Sequence, residues 1–598
     1  MTNLSLNTMW QSAQALGRAD FLTLPSQRIS YADQLEAIRL MCGYFDAAGL
    51  NPGDRVAICS THDHAVVTSF LAALLHGLVP VNLSTGTKAD RGVSILRSTE
   101  ARLLICDAPI KAGWGAEFTC SVPAERGKRS WFGRSKAVHW LLDGDAPSPA
   151  EPRLPDDREA LAYLLFTSGS TAAPTGVELT LGNLLANLDS VGRVTQLQSG
   201  DRMFNDLVMA HTDGLIHGPV LAFARGASVV RAGGMQLSRL EDWLNTIRRE
   251  GCTHFISVPF VWSMIHRLGA HDDYFDGPEM KMLITSAARI DPKLWEQIET
   301  RFGKPLVNEY GMTETVMAAC HAGDFPEMGT KGTLGRVAHC DARIEPTDPA
   351  VPTEGELQLK GPAIARGYWK NPERNATSFT SDGWLKTGDI VRLRPDGSYD
   401  LLGRFKSIIN SGGMNIHPDE INEALESHPG VSSVATVGLP DDDFGEVAVS
   451  AVELSGAADP RALIEHARAG LEPIKVPKRV VVLTEIPRTE SGKPRLEDLK
   501  TLLMQLDADG VPEAAAPGAP VDASLALVTA AAARVFACDA ADLSARSTQD
   551  DVAGWDSFSQ LNLFLAVEEK AGVRLPSRRL TSVRTLGDLA ELLGDCRP

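Results

Sequence analysis

Between residues 40 and 105, short apolar runs such as Val56-Ala-Ile-Cys59 alternate with amphipathic stretches of helical length such as residues 65–77. That alternation predicts strands joined by helical crossovers, the grammar of a layered α/β domain. It resumes at Ala162 and runs to Asp389, after an irregular stretch at 111–157 rich in Gly, Ser and Pro. Behind the strand candidate Tyr399-Asp-Leu-Leu402, a new block of strand and helix patterns opens at Gly403-Arg404 and ends near Met504, which predicts a second, smaller α/β domain. Residues 507–520 hold three prolines and almost no large apolar side chain. They have nothing to bury and are expected to form an extended, semi-rigid tether. From 523 to 598 the period is helical throughout, from Leu525-Ala-Leu-Val528 to Leu586-Gly-Asp-Leu-Ala-Glu-Leu-Leu593, as in a small helical bundle. The expected chain is therefore α/β and multidomain: a large layered domain at 1–402, a small domain at 403–505, a linker at 506–522 and a helical bundle at 523–598.

Composition narrows the function. A chain of 598 residues exceeds what one hydrophobic core supports, so several domains are expected. The net charge of −18 argues against nucleic acid or anionic membrane as partner, so any nucleotide must bind locally. Nine cysteines lie scattered without a CxxC pair, which fits reduced thiols better than a disulfide framework or a zinc site. The first ten residues lack a basic segment followed by an apolar one, and no run approaches the ~18 apolar residues of a membrane span. A soluble, cytoplasmic protein is expected. The basic residues Arg126, Lys128, Arg129, Arg134 and Lys136 read as a solvated loop.

Chemistry gathers in short segments. Phe166-Thr-Ser-Gly-Ser-Thr171 is apolar before its glycine and flexible after it, so a buried strand over 161–166 should feed a loop whose N–H groups and hydroxyls cradle phosphate. No Gly-Lys-Ser/Thr follows, which excludes a Walker A loop. Far downstream, Lys493 in Pro487-Arg-Thr-Glu-Ser-Gly-Lys-Pro-Arg495 offers a compact, mobile positive charge for the negative charge that builds up during transfer. With Asn308-Glu-Tyr-Gly-Met-Thr-Glu314, Lys386-Thr-Gly-Asp389 and Gly403-Arg404 in the same order, the chain resembles, over roughly residues 30–503, the adenylate-forming superfamily. That superfamily comprises acyl- and aryl-CoA synthetases, peptide-synthetase adenylation domains and luciferases.

The resemblance implies ATP and Mg²⁺ as cofactors. It assigns ATP/AMP binding to Thr167, Ser168, Gly169, Ser170, Thr171, Ala288, Asn308, Glu309, Tyr310, Gly311, Thr313, Asp389, Arg404 and Lys493. Tyr310 would stack on the adenine, Thr313 contact phosphate, Glu314 hold Mg²⁺ and Asp389 accept hydrogen bonds from the ribose hydroxyls. Catalysis would rest on Lys493, Thr313 and Glu314. Lys406 falls at the family's hinge, and Gly412 and Gly413 in the loop that lines the pantetheine tunnel, which makes the small domain a mobile one. The family's phosphate loop ends Pro-Lys-Gly, whereas this chain has Pro174-Thr175-Gly176, which removes a phosphate contact.

Met209-Ala-His211-Thr-Asp213-Gly-Leu-Ile-His217 resembles the stretch that walls the family's acyl pocket, with His211 at the aromatic gate and Asp213, Gly214 and Met312 beside it. Asp213 has two open readings. A buried carboxylate is costly unless paired, so it would meet a cationic group on the substrate; otherwise it caps the next helix or touches water. In the last unit, Gly554-Trp-Asp-Ser-Phe-Ser-Gln-Leu561 resembles the attachment site of an acyl or peptidyl carrier domain, in which Ser557 bears 4′-phosphopantetheine. A plain N-cap is the bland alternative.

The expected function is activation of a small carboxylic acid, with non-α amino acids among the candidates, as its acyl-AMP, and transfer to the pantetheine of its own carrier domain. The setting would be a nonribosomal-peptide or polyketide-like biosynthetic pathway. The partners implied are a phosphopantetheinyl transferase and downstream biosynthetic enzymes that accept the acyl group. Two alternatives stay open: a free acyl- or aryl-CoA ligase whose carrier is loaded by another enzyme, and a carrier-presenting scaffold with a degenerate adenylation site.

Overall fold

The computed structural model describes residues 4–595 except 115–119, 122–123, 126–139, 142–147, 167–174, 237–238, 327, 408, 412–413, 442–444, 456–457, 472–474, 490–491, 509–520, 537, 541–542, 549–550, 553–554, 556–559, 561–562, 565, 568–570, 572–574 and 576–582. The chain divides into two compact units. One comprises Met1–Gly233, Ile247–Trp262 and Phe275–Leu401; the other comprises Gly234–Thr246, Ser263–Tyr274 and Leu402–Pro598.

The first unit is built on three sheets. The nine-stranded sheet runs Asp20–Leu24, Ser228–Val230, Arg202–Asn205, His254–Ser257, Met282–Thr285 and Leu306–Met312 in parallel. Antiparallel partners Gln27–Ser30 and Met317–Ala322 lie on either side of that run. A seven-stranded sheet places Val79–Asn82, Arg55–Cys59, Ala101–Cys106 and Leu161–Phe166 in parallel and adds Gly176–Thr180 and Gly367–Tyr368 antiparallel. Parallel sheets need crossovers and covered faces, which is why these strands read as continuous Val/Ile/Leu runs rather than alternating ones. The third sheet is antiparallel and joins Asp341–Pro346, Glu354–Lys360, Leu385–Leu393 and Tyr399–Arg404.

One expectation fails in an instructive way. The stretch expected to be an amphipathic helix is the helix Asp63–Leu75, but every residue from His64 to Leu75 is buried. The sequence Asp-His-Ala-Val-Val-Thr-Ser-Phe-Leu-Ala-Ala-Leu-Leu is apolar all round, and such a helix belongs inside. Of its three buried polar members, His64, Thr68 and Ser69, Thr68 accepts a 3.0 Å hydrogen bond from Gln34.

In the second unit a five-stranded sheet centres on the long hairpin Val431–Asp441 and Gly445–Leu454, with Arg479–Val482 parallel to the latter. Period-two alternation sends Val434, Ala448 and Val452 to one face, against Ile421 and Leu425 of the helix Pro418–Glu426 and Leu463 and Ala467 of the helix Pro460–Gly470. Ala435, Val437, Val449 and Ala451 go to the other, against Leu499 and Leu503 of the helix Leu496–Ala508. The helices Val521–Val535 and Leu586–Asp595 belong to a separate apolar cluster in which Val528, Phe536, Trp555, Leu563, Val567, Leu589 and Leu593 are buried. Among the described residues, no helix is long and apolar enough to cross a membrane.

Candidate active site

In open sheets with parallel strands, ligands bind beyond the carboxyl ends of the strands. At that edge of the nine-stranded sheet four adjacent strands end in Asn205, Ser257, Thr285 and Met312. The expected site residues His211, Asp213, Gly214, Ala288, Thr313 and Glu314 all follow these ends, and Asn308–Gly311 lie on the last of them.

Tyr310 and Asp389, which are 79 residues apart, meet directly: the Tyr310 hydroxyl donates to Asp389 Oδ2 at 2.5 Å. Asp389 owes its position to a bulge. The register between Glu354–Lys360 and Leu385–Leu393 shifts between Glu356 and Gln358, leaving Thr387, Gly388 and Asp389 outside the regular ladder. Gly388 turns there with φ +75°, a conformation that only glycine adopts at low cost. The Thr387 hydroxyl donates to Leu357 O at 2.7 Å and accepts from the Asp389 N–H at 3.1 Å, which locks the turn.

Glu314 is buried, and its Oε1 accepts a 2.6 Å hydrogen bond from the Tyr368 hydroxyl. Burial first, then the charge of Glu314, pushes the Tyr368 phenol up to about 12, so it stays a donor at neutral pH. Tyr368 pairs with Val177 on the strand Gly176–Thr180, and Gly176 pairs in turn with Phe166. The strands Leu161–Phe166 and Gly176–Thr180, which flank the phosphate-loop segment in sequence, are therefore linked through Tyr368 to Glu314. Its residues Thr167, Ser168, Gly169, Ser170 and Thr171 lie outside the described residues, as do Gly412, Gly413 and Ser557. With one oxygen of Glu314 held by the phenol, the other is left as a hard oxygen donor of the kind a divalent cation takes. Tyr368 carries no signal of this role in the sequence beyond its place in Ala365-Arg-Gly-Tyr368, an aromatic behind a glycine.

Glu309 points the other way. Strand alternation turns its side chain from Tyr310's face into the interior, where it lies between His217 (Nδ1–Oε2 3.7 Å) and His321 (Nε2–Oε1 3.6 Å). Burial opposes its charge, but the two imidazoles outweigh that and hold the carboxyl at about 2. His217 Nε2 is 3.0 Å from Asn187 Oδ1. A nucleotide contact from Glu309 is therefore left to its backbone. Met312 is half-buried against the apolar cluster that includes Leu334, Leu357 and Leu385.

On the acyl side, His211 stands at the N-cap position of the helix Thr212–Leu215 and makes no capping bond through its side chain. Asp213 is inside that helix, not at its cap. Its Oδ2 accepts from Ser286 Oγ at 2.8 Å, and its carbonyl accepts from Asn205 Nδ2 at 2.7 Å. A Cβ on Gly214 would lie 2.3 Å from Val208 O, so only glycine lets the chain pass here. Ser286 was not foreseen, because nothing in the sequence pairs position 213 with a residue one step past a distant strand.

In the second unit Lys493 rides on a tight loop. Its carbonyl accepts from the Thr489 N–H at 2.7 Å and its N–H donates to Thr489 Oγ1 at 3.2 Å. Arg488 anchors the loop to the sheet through Ser433 Oγ at 2.6 Å and Glu453 Oε1 at 3.1 Å. Arg404 is an exposed residue at the end of the strand Tyr399–Arg404, and Lys406 lies in the single turn Phe405–Ser407 that follows.

Residues 9–369 match the model of the AMP-binding enzyme family, and residues 420–493 match that of the AMP-binding enzyme C-terminal domain. A sulfoacetate–CoA ligase of Cupriavidus necator is 33% identical over 466 residues, covering 75% of this chain and 87% of that one. An oxalate–CoA ligase of Arabidopsis thaliana is 28% identical over 465 residues, 75% of this chain and 88% of the relative. In fold, ATP-bound MatB from Rhodopseudomonas palustris superposes with a TM-score of 0.73 at 23% identity, over 84% of this chain and all of MatB.

Proposed function

The chain belongs to the family of AMP-binding enzymes, and from that premise we propose that it is an adenylate-forming acid–thiol ligase that loads its own carrier domain. It uses ATP, with Mg²⁺, to convert a small carboxylic acid to its acyl-AMP. The acyl group then passes to the phosphopantetheine thiol on Ser557, in a nonribosomal-peptide or polyketide-like pathway. The hydrogen bond between Tyr310 and Asp389 carries the reading, since it unites two nucleotide-binding segments that are far apart in sequence. In the roles assigned, Tyr310 covers the adenine, Asp389 and Arg404 hold the ribose, and Thr313 and the 167–171 loop hold phosphate. Glu314 fixes the cation. Lys493 offsets the charge that gathers between the acyl and phosphoryl oxygens, and closure about Lys406 brings Gly412 and Gly413 to the pantetheine arm.

Loading of the carrier rests on the Asp556-Ser557 segment, on the Pro-rich tether before it and on the separate apolar cluster of the last unit. A phosphopantetheinyl transferase supplies the prosthetic arm, and downstream biosynthetic enzymes take the product. A second reading, ligation to free CoA, is favoured by the sulfoacetate– and oxalate–CoA ligases among its relatives.

One experiment separates the two. ATP–pyrophosphate exchange is measured over a panel of acids, and thioester formation is compared on CoA and on the pantetheinylated chain. Self-loading predicts that Ser557→Ala keeps exchange near wild type and loses the pantetheine mass gain and all loading. Faster transfer to CoA than to the carrier would establish the second reading instead.

A further inference from the structure

Asp213 is 5% exposed and stands at the carboxyl edge of the nine-stranded sheet, where the acid is expected to lie. Its place is fixed three ways: Asn205 holds its carbonyl, Gly214 is wedged against Val208, and Ser286 donates to Oδ2. Among the described residues, no Lys, Arg or His forms an ion pair with it.

The nearby bases are committed elsewhere. Arg231 donates to Asp63 Oδ2 at 2.7 Å and to the carbonyls of Asn205 and Leu207 at 2.9 and 3.0 Å. His217 lies between Asn187 and Glu309. Two other buried carboxylates of this unit have their base within the chain: Glu309 has an imidazole on each side, and Asp201 has the Lys281 ammonium at 2.6 Å. A buried carboxylate held by one neutral hydroxyl is costly, and a cation from outside the chain removes that cost.

We infer that Asp213, held by Ser286, is the specificity-determining acceptor for a positively charged group on the acyl part of the acid. This rests on the adenylating reading and names its substrate class: a carboxylic acid carrying an ammonium or similar cation. Because two carboxylates repel at close range, the cation lies between Asp213 and the reacting carboxylate of the substrate. For the same reason an acid with a second anionic group is disfavoured.

The test uses the full-length protein and four acids of similar size: 4-aminobutanoate, a trimethylammonium acid, butanoate and sulfoacetate. Pyrophosphate exchange should favour a cationic acid over butanoate, with sulfoacetate poorest. Asp213→Asn should lower the ratio of kcat/KM for the cationic acid to that for butanoate by about 10-fold or more, as expected for loss of a buried charge partner. Ser286→Ala should lower it less, in the same direction, and serves if the Asn variant folds poorly. Thermal stabilisation by each acid without ATP reads binding apart from adenylation. Stabilisation by a cationic acid, lost in Asp213→Asn, supports the inference even where exchange is absent and the adenylating reading fails. Exchange led by butanoate or sulfoacetate, with a ratio unmoved by Asp213→Asn, overturns the inference and leaves that reading intact.

Discussion

Among the residues expected to meet the nucleotide, two carboxylates each meet a phenol: Asp389 takes the Tyr310 hydroxyl at 2.5 Å and Glu314 the Tyr368 hydroxyl at 2.6 Å. A few residues along the same sheet edge, Asp213 meets one serine hydroxyl at 2.8 Å. Phenol-to-carboxylate bonds are charge-assisted and set both groups in place before any ligand arrives. The difference follows the chemistry of the two ligands. A nucleotide is the same in every turnover, so its groups are met by a preformed frame. The acid is what the enzyme must choose, and on the inference above Asp213 is the carboxylate that keeps capacity for it. Changes on the nucleotide side should therefore act alike on all acids, and changes on the acyl side should reorder them.

Glu309 offers the largest way to break this division, because it stands in the nucleotide segment yet braces His217, which lies in the segment that carries Asp213. Glu309→Gln removes the charge between two buried imidazoles and should cost about 3–5 kcal/mol of stability, read by denaturant unfolding at pH 7. The folded value of about 2 lies below that of an unfolded glutamate, ~4.3. The ionised group thus adds stability above pH ~4.3, and the gain is lost as pH falls from there toward 2. The variant should lose that part of the acid dependence. An unchanged midpoint at pH 7 would mean that the cluster contributes nothing to the fold.

Tyr310→Phe sharpens the comparison at intermediate size. It keeps the ring and takes the donor from a buried carboxylate, a loss of about 1–3 kcal/mol, or roughly five- to 150-fold in KM for ATP. The factor should be the same with two unrelated acids. A factor that depends on the acid would mean that Tyr310 touches the acyl group.

The division also explains what was legible in the sequence. Residues 308–314 and 386–389 form contiguous runs, so the resemblance to the superfamily that they carry was legible before any fold was known. The layered α/β architecture was legible too, because parallel strands leave long apolar runs. Tyr368 and Ser286 were not, since each acts through a partner that only the sheet brings near: Glu314 is 54 residues from Tyr368, and Asp213 is 73 from Ser286. The inward turn of Glu309 depends on period-two alternation within a strand that the motif alone does not reveal. The stretch 65–77 was misread as amphipathic because Thr68 and Ser69 look solvent-facing until their burial is seen.

The smallest expected effect comes from restoring what the phosphate loop lacks. Thr175 is half-buried directly after the loop and precedes Gly176, which pairs with Phe166 across the hairpin. Thr175→Lys places a mobile ammonium where phosphate is expected. A partly exposed charge contact is worth about 0.2–1 kcal/mol, so KM for ATP should fall by no more than about fivefold. The gain should fade at 1 M salt, where the screening length is only about 3 Å. On the nucleotide side of the division, the factor should be equal for a good and a poor acid, with the ranking of acids kept. An unchanged KM at low salt would show that position 175 does not face the phosphates. A gain confined to one acid would place the loop's exit against the acyl group, and the separation of fixed frame from choosing carboxylate would no longer hold.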